Sequence, residues 1–205
     1  MKYGIVGLAI VLSGCAGTSP KISWVASVNV DEFTDKKTCS VSVGSLYTKS
    51  SVFTYSNHYY PYIEVVDNDL RVGIKSGGNY RIPVGNVQIR IDNNDAWTIN
   101  TSETPLDYAP QASTVDFSQY VENLPEESRK QAQRTYDAAM EGSARAISPF
   151  TAATGEKARA ILDEMVNGKE IKYRTIGMNQ AASTTGEYAL DASLPEALSK
   201  CGIKA

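Results

Sequence analysis

The sequence predicts an α+β fold rich in β-structure, namely an antiparallel β-sandwich or barrel-like sheet with two longer helices and a short C-terminal helix. The first hundred residues contain short runs of alternating apolar and polar residues separated by turn formers, which is typical of antiparallel sheets. After residue 120 the apolar spacing becomes helical. A length of 205 residues with 42% hydrophobic residues suits one domain with its own core.

The first two predicted strands form a hairpin. Ser23–Val30 alternates apolar and polar residues, which predicts a half-buried strand. Thr38–Val43 alternates in the same way after the charged segment Asp31–Lys37, which supplies the turn.

Two further hairpins follow in the first half of the chain. Their predicted strands are Tyr59–Val66 with Leu70–Lys75, and Asn86–Ile91 with Ala96–Ile99. Asp67–Asp69 and Asp92–Asp95 provide the turns, because Asp and Asn side chains hydrogen-bond to nearby backbone groups. The same carboxylates could be calcium ligands, but neither group has the spacing of an EF-hand loop. We therefore expect no metal site.

The second half of the chain carries the helices. Asn123, with Glu126 three residues later, predicts the start of a helix that runs to about Arg145. Its inward face is thin and rich in small residues: Ala132, Tyr136, Ala139, Met140 and Ala144. Ala158–Val166 has a full apolar stripe and ends at Gly168, which suits a helix C-terminus.

Strands and a last helix complete the predicted domain. Glu170–Ile176 and Gly186–Leu190 read as strands. Ser193 and Glu196 have the spacing of a capping box at the start of a short helix that ends at Lys200.

The N-terminus has the features of a secretion signal. Lys2 precedes the short uncharged apolar run Tyr3–Leu12, which is too short for a permanent membrane helix. The segment Leu12–Cys15 reads LSGC and resembles the lipobox of bacterial lipoproteins. The resemblance implies lipid attachment to Cys15, cleavage after Gly14 and palmitate-type acylation of the new terminus. An ordinary cleaved signal with a chance cysteine is the alternative.

These features divide the chain into three parts. Residues 1–14 are the predicted signal peptide, residues 15–22 the lipidated tether, and residues 23–205 a single globular β-rich domain with a helical insertion at about 121–147. Ala16, rather than Asp, follows the cysteine, and this resembles the outer-membrane sorting class. The predicted location is therefore the outer membrane, facing the periplasm or the cell surface.

Cys39 and Cys201 are the remaining cysteines. A pair in a periplasmic chain predicts one disulfide, which would tie an early strand to the last helix. Free thiols or a redox pair are the alternatives, although no CxxC spacing occurs.

Two patches resemble the invasion-associated locus B family of periplasmic β-rich proteins. The first is Arg81–Asp92, with a PxG followed by an alternating strand and Asp. The second joins the helix Ala158–Asn167, Gly168 and the strand Glu170–Ile176 to the C-terminal short helix near a cysteine. This chain has fewer cysteines than the family pattern and an additional helical stretch. The resemblance implies a secreted, non-enzymatic β-rich domain.

The densest cluster of candidate binding residues is rich in tyrosine. His58, Tyr59, Tyr60 and Tyr62 lie within five residues, and tyrosines combine a stacking face with a polar tip that suits sugars, peptides or protein surfaces. If Tyr60 and Tyr62 share a face, they form a small aromatic platform. The competing interpretation is an edge strand whose tyrosines cover the rim of the core, with Pro61 guarding the edge.

The sequence contains no set of residues that defines a reaction. Net charge is −3 without a Lys/Arg cluster, which argues against nucleic-acid binding. There is one histidine, and no phosphate loop or common hydrolase motif, so we expect no cofactor and no catalytic residues. The predicted function is a non-enzymatic binding, adaptor or structural module, held to the membrane by its lipid and partnered by an envelope protein or glycan. The alternatives are an envelope hydrolase with an unrecognised carboxylate pair, and a receptor-blocking lipoprotein of the kind phages and plasmids encode.

Overall fold

Two antiparallel sheets form the body of the molecule. A computed structural model describes residues 22–33, 35–43, 59–77, 82–106, 118–176 and 185–204, and these contain one sheet of five strands and one of four, with helices packed against them. The predicted α+β, β-rich class is confirmed. The predicted signal peptide, Cys15 and His58 lie outside the described residues.

The five-stranded sheet, sheet A, has the strand order β1-β2-β3-β4-β7. Its strands are β1 (Trp24–Val30), β2 (Lys37–Val43), β3 (Tyr59–Val66), β4 (Asp69–Ser76) and β7 (Phe150–Thr154). Asp67 and Asn68 have φ angles of 51° and 71° in the turn that joins β3 to β4. Asp and Asn adopt such left-handed angles most readily among non-glycine residues, which is why this short polar turn fits here.

The four-stranded sheet, sheet B, has the order β6-β5-β8-β9. Its strands are β5 (Asn86–Ile91), β6 (Trp97–Ile99), β8 (Glu170–Ile176) and β9 (Thr185–Ala189). Val87, Ile89 and Ile91 are buried, whereas Arg90 is exposed. The alternation predicted from sequence therefore sets one face of this sheet toward the core and the other toward solvent.

The helices differ in how much they bury. They are the 3-10 helix η1 (Thr101–Glu103) and the α-helices α1 (Ser118–Val121), α2 (Glu126–Ala146), α3 (Gly155–Asn167) and α4 (Ser193–Lys200). Helix α3 packs on β4 and β7, and its stripe that includes Ile161, Leu162 and Met165 is buried. Helix α4 packs on β1 and β2. A single apolar core joins residues of both sheets with α3 and α4.

Helix α2 lies on the surface. None of its 21 residues is buried, and it packs against η1 and α1. Of the predicted inward stripe, Ala139 is exposed and the other members are half-buried. The stripe therefore forms only a weak contact, as its small side chains suggested. In the described ranges, no helix is both long enough and apolar enough to cross a membrane.

Two predicted helix caps are wrong. Helix α2 begins after Pro125 and has no side-chain cap, so Asn123 does not accept the first hydrogen bonds. At α4, Ser193 does not form the capping box, because its Oγ accepts a hydrogen bond from the Trp24 backbone N–H at 2.9 Å. The Asp191 side chain satisfies a backbone donor at the start of α4 instead, since its Oδ1 accepts a hydrogen bond from the Ser193 N–H at 3.0 Å.

Strand β7 was not predicted from the sequence. It consists of the five residues FTAAT and leads directly into α3. Apolar and polar residues do not alternate regularly in this short segment, so the sequence gives no strand signal here. Gly73 in β4 allows it to pair closely: a Cβ at this position would lie 2.0 Å from the Thr151 carbonyl oxygen. Glycine is therefore required by the approach of the neighbouring backbone.

Candidate functional site

Two residues of the predicted binding surface, Tyr60 and Tyr62, lie in the interior. Strand β3 lies between β2 and β4, so the alternative of an edge strand is wrong. Tyr60 and Tyr62 are 0% and 2% exposed, and Tyr59 is half-buried. The predicted platform is therefore wrong for Tyr60 and Tyr62, because a ligand cannot reach rings that the fold has covered.

Pro61 is accommodated inside the sheet because the β2 ladder ends beside it. The register of β2 and β3 stops at Ser42 paired with Tyr62. The Ser42 hydroxyl donates a hydrogen bond to the Pro61 carbonyl at 2.9 Å. The Ser42 hydroxyl therefore satisfies the Pro61 carbonyl on the side where the β2 ladder has ended. Proline has no N–H on that side, so no backbone donor is left unpaired there.

Tyr59 and Tyr60 belong to a cluster that joins the two sheets. The Tyr188 ring stacks on Tyr60 and on Tyr173, with centroids 6.4 Å and 6.2 Å apart. The Tyr173 hydroxyl donates a hydrogen bond to the Tyr59 carbonyl oxygen. Burial raises the pKa of Tyr59, Tyr173 and Tyr188 above the ordinary tyrosine value. We assign this cluster a structural role, because its rings pack on one another rather than facing solvent.

Tyr62 has a different set of neighbours. Its ring meets the Phe150 ring edge-on at 6.2 Å, and the Lys75 Nζ lies 5.4 Å from its centroid. Lys75 also donates a hydrogen bond to the Ser40 Oγ at 3.1 Å. The Lys75 ammonium group is therefore held between the face of the Tyr62 ring and the Ser40 hydroxyl.

The two later cysteines are joined. Cys39 of β2 and Cys201, directly after α4, form a disulfide with a Cα–Cα distance of 5.5 Å. The chain holds three cysteines, so this bond leaves Cys15 as the only other thiol. The disulfide lines a cavity of about 640 Å³ together with the Lys36–Asp67 ion pair, whose Nζ–Oδ2 distance is 2.8 Å.

The aspartates considered as calcium ligands serve turns and backbone. Asp92 has a φ of 48°, and its carboxylate accepts hydrogen bonds from the N–H groups of Lys169 and Glu170 at 3.1 Å and 2.9 Å. This contact joins the two patches that resemble the invasion-associated locus B family, which gives those patches a structural purpose. Among the described residues, no group of three or more His, Cys, Asp or Glu side chains could hold a metal ion.

The solvent face of sheet B carries a groove of about 610 Å³, which we call the sheet B groove. Its charged and polar lining residues include Gln88, Arg90, Lys172, Arg174 and Glu187. They come together because Gln88 pairs with Arg174 and Arg90 with Lys172 across β5 and β8. On β5 and β8 they alternate with buried residues, and Glu187 on β9 is exposed between two half-buried residues, so their side chains point away from the core.

The cations of the sheet B groove differ in how they are compensated. Lys172 lies between two carboxylates, with its Nζ 2.9 Å from Glu170 and 3.3 Å from Glu187, and their hydrogen bonds raise its pKa. Arg174 donates instead to the neutral Gln88 Oε1 at 2.7 Å.

Arg90 also donates to neutral oxygens. Its guanidinium group contacts the backbone carbonyls of Asn94 and Asn93 at 3.0 Å and 3.3 Å. Within the described part of the chain, neither Arg90 nor Arg174 forms an ion pair. The groove therefore presents two oriented guanidinium groups whose charge is not neutralised by a described carboxylate, and these are well suited to an anion.

Sequence reasoning did not identify this groove. Arg90 and Arg174 are 84 residues apart, and neither belongs to a charge cluster. Only the alternation within β5 and β8 placed them on the polar face, and the register that makes them neighbours could not be read from a single sequence.

Comparison with known proteins gives no match for the whole chain or for a part of it. No family model, no curated protein and no solved structure is significantly similar to it. The resemblance to the invasion-associated locus B family thus remains an interpretation of two short sequence patches.

Proposed function

We propose that this chain is a lipid-anchored lipoprotein of the bacterial cell envelope that acts as a non-enzymatic binding module, and that the sheet B groove binds an anionic envelope glycan. The lipid holds the domain at the outer membrane, and the groove supplies the contact with the partner. The proposal thus assigns the membrane contact and the glycan contact to separate parts of the chain.

The distribution of cysteines is the observation that carries the anchor. The disulfide accounts for Cys39 and Cys201, which leaves Cys15 at the position where the LSGC segment requires a free thiol. A disulfide is also typical of proteins in oxidising compartments such as the periplasm. One acyl chain gives marginal membrane binding whereas two or more hold a protein firmly, so a thioether lipid with an acylated terminus would make attachment effectively permanent.

The guanidinium pair supports the choice of an anionic ligand. Within the described residues Arg90 and Arg174 form no ion pair, on a chain whose net charge is −3, so the groove is a local exception to an acidic molecule. Planar guanidinium groups bind carboxylates and phosphates through paired hydrogen bonds. Gln88 and Thr98, whose side chains are hydrogen-bonded to each other at 3.0 Å, add neutral groups suited to sugar hydroxyls beside them.

The anchor is tested with radiolabelled palmitate in cells that express the full chain. We expect label in the wild type and none in Cys15→Ser, with the variant lost from the membrane fraction. The double variant Cys39→Ala/Cys201→Ala is the control and keeps the label. Equal labelling, or unchanged membrane association of Cys15→Ser, would contradict the anchor.

The groove is tested by co-sedimentation with two purified probes, peptidoglycan sacculi for carboxylates and lipopolysaccharide for phosphates. Replacing Arg90 or Arg174 by alanine is expected to weaken binding by roughly 10- to 150-fold, because a hydrogen bond to a charged group is worth about 1.5–3 kcal/mol. Arg134→Ala, on the exposed helix α2, is the matched control, since it removes one guanidinium group that does not line the groove. Binding to neither probe, or equal losses in all three variants, would refute the assignment.

A further inference from the structure

One edge of sheet A is open. Its two edge strands are β1 and β7, and the β7 edge is covered by η1, where the Ala152 N–H donates to the Thr104 Oγ1 at 3.3 Å. Among the described residues, the outer side of β1 is contacted at its first residue, where the Trp24 N–H donates a hydrogen bond to the Ser193 Oγ. No strand in the described part of the chain pairs with the outer side of β1.

Two hydrogen bonds fix which backbone groups of β1 point outward. The Trp24 N–H faces away from β2, because it donates to the Ser193 side chain. The Asp31 N–H faces the β2 side, because it donates across the hairpin to the Lys36 carbonyl at 2.9 Å. Backbone N–H and C=O directions alternate along a strand. The residues that offer these groups to the outer side are therefore Ala26, Val28 and Val30.

The sequence of strand β1 has none of the residues that usually protect an edge. The segment WVASVNV contains no charge, no proline and no glycine. Val25, Val28 and Val30 are 46%, 53% and 51% exposed. Edge strands are normally guarded by lysine, proline, bulges or a covering loop, and an open apolar edge pairs with another strand.

We propose that β1 pairs with β1 of a second copy of this chain, antiparallel and about a two-fold axis at Val28. In this register Val28 exchanges both backbone hydrogen bonds with its counterpart, and Ala26 pairs with Val30 of the other copy. The two five-stranded sheets then join into one continuous sheet of ten strands.

The second copy fits this edge because the open set of groups is symmetric about Val28. Trp24 is already engaged by Ser193, so the available residues are the three centred on that valine. No charged residue of Trp24–Val30 opposes another in the dimer. On one face the two Val28 side chains meet at the axis, and each Val30 lies diagonally next to the Val28 of the other copy. Pairing therefore buries part of this exposed apolar surface, which is the usual driving force for pairing.

Cysteine cross-linking tests the axis. Every cysteine variant carries Cys15→Ser, so that the result does not depend on lipidation, and also Cys39→Ala with Cys201→Ala, because Cys39 lies directly opposite Val28 on β2 and would otherwise exchange with the new thiol. Directly paired residues have Cα atoms about 5.5 Å apart, which suits a disulfide, so Val28→Cys is expected to form a covalent dimer on mild oxidation. Val25→Cys is the matched control, because its two copies would lie about 20 Å apart along the strands. We expect at least tenfold more dimer for Val28→Cys.

A mixture supplies the second measurement. Protein with Ala26→Cys mixed with protein with Val30→Cys is expected to give a mixed disulfide in greater yield than either variant alone. Sedimentation of the Cys15→Ser protein should show a dimer that Val28→Lys converts to monomer, since two ammonium groups would then meet at the axis. A monomeric parent, or equal cross-linking of Val25→Cys and Val28→Cys, would overturn the proposal.

Discussion

The disulfide is expected to supply a large part of the stability of this domain, and its removal is the most quantitative test of the fold. The bond joins residues that are 162 apart in sequence, which is most of the 205-residue chain. Replacing both Cys39 and Cys201 by alanine releases that constraint on the unfolded state. It leaves the sheets and the packing of α4 on β1 and β2 otherwise unchanged.

The expected loss follows from loop closure. A closed loop of this length lowers the entropy of the unfolded chain by an amount equivalent to about 5 kcal/mol at 25 °C in the chain-entropy model. For a domain of this size, 1 kcal/mol shifts the melting temperature by about 2–4 °C. The double alanine variant should therefore melt about 10–20 °C below the wild type.

Differential scanning calorimetry of the oxidised protein and of Cys39→Ala/Cys201→Ala measures this shift. Cys15→Ser serves as the control and should melt with the wild type, because Cys15 takes no part in the bond. Reductant should lower the melting temperature of the wild type toward that of the double variant and leave the variant unchanged. A shift below about 3 °C would refute the reasoning, since it would mean that the bond contributes under about 1.5 kcal/mol.

Two further predictions concern packing and pH. Gly186→Ala should lower the free energy of unfolding, measured in urea, by about 1–3 kcal/mol, because the new Cβ would lie 2.2 Å from the Tyr173 ring. Gly142→Ala is the control, since the exposed helix α2 leaves nothing within 4 Å of the new Cβ. This substitution should raise the free energy of unfolding by about 1 kcal/mol. Burial raises the folded-state pKa of Tyr173 and Tyr188, so their contribution is complete below the unfolded tyrosine pKa near 10 and is lost as pH rises above it. Alkaline unfolding followed by tyrosinate absorbance should begin at higher pH in Tyr173→Phe than in the wild type, and coincident curves would contradict this.

Local patterns were sufficient to identify most elements of the fold. The β3–β4 hairpin was predicted because its turn residues are among the few that adopt left-handed backbone angles. The stripe of α3 was predicted because its apolar spacing matches one helix face. Both signals lie within twenty residues, so no knowledge of the tertiary fold was needed.

Predictions that depended on neighbours in space were wrong or were not made. Tyr60 and Tyr62 looked like surface residues, and their burial follows from the central place of β3, which strand order alone decides. Ser193 looked like a helix cap, but Trp24 occupies its hydroxyl. The sheet B groove was missed for the same reason, because the pairing of Arg90 with Lys172 depends on a register that a single sequence does not encode visibly.

Contacts with the C-terminal segment hold the first two strands in place. Trp24 donates its backbone N–H to Ser193 and its indole N–H to the Ala189 carbonyl at 2.9 Å, and the disulfide joins β2 to the end of α4. The C-terminal helix therefore fixes the β1–β2 hairpin on one face, while the outer edge of β1 stays open beyond Trp24. A chain that loses α4 should lose the position of β1 as well, so truncation before Ser193 is expected to abolish the Val28 cross-link even where the remaining sheet still folds. Retention of the cross-link in that truncated chain would show that β1 is held by β2 alone.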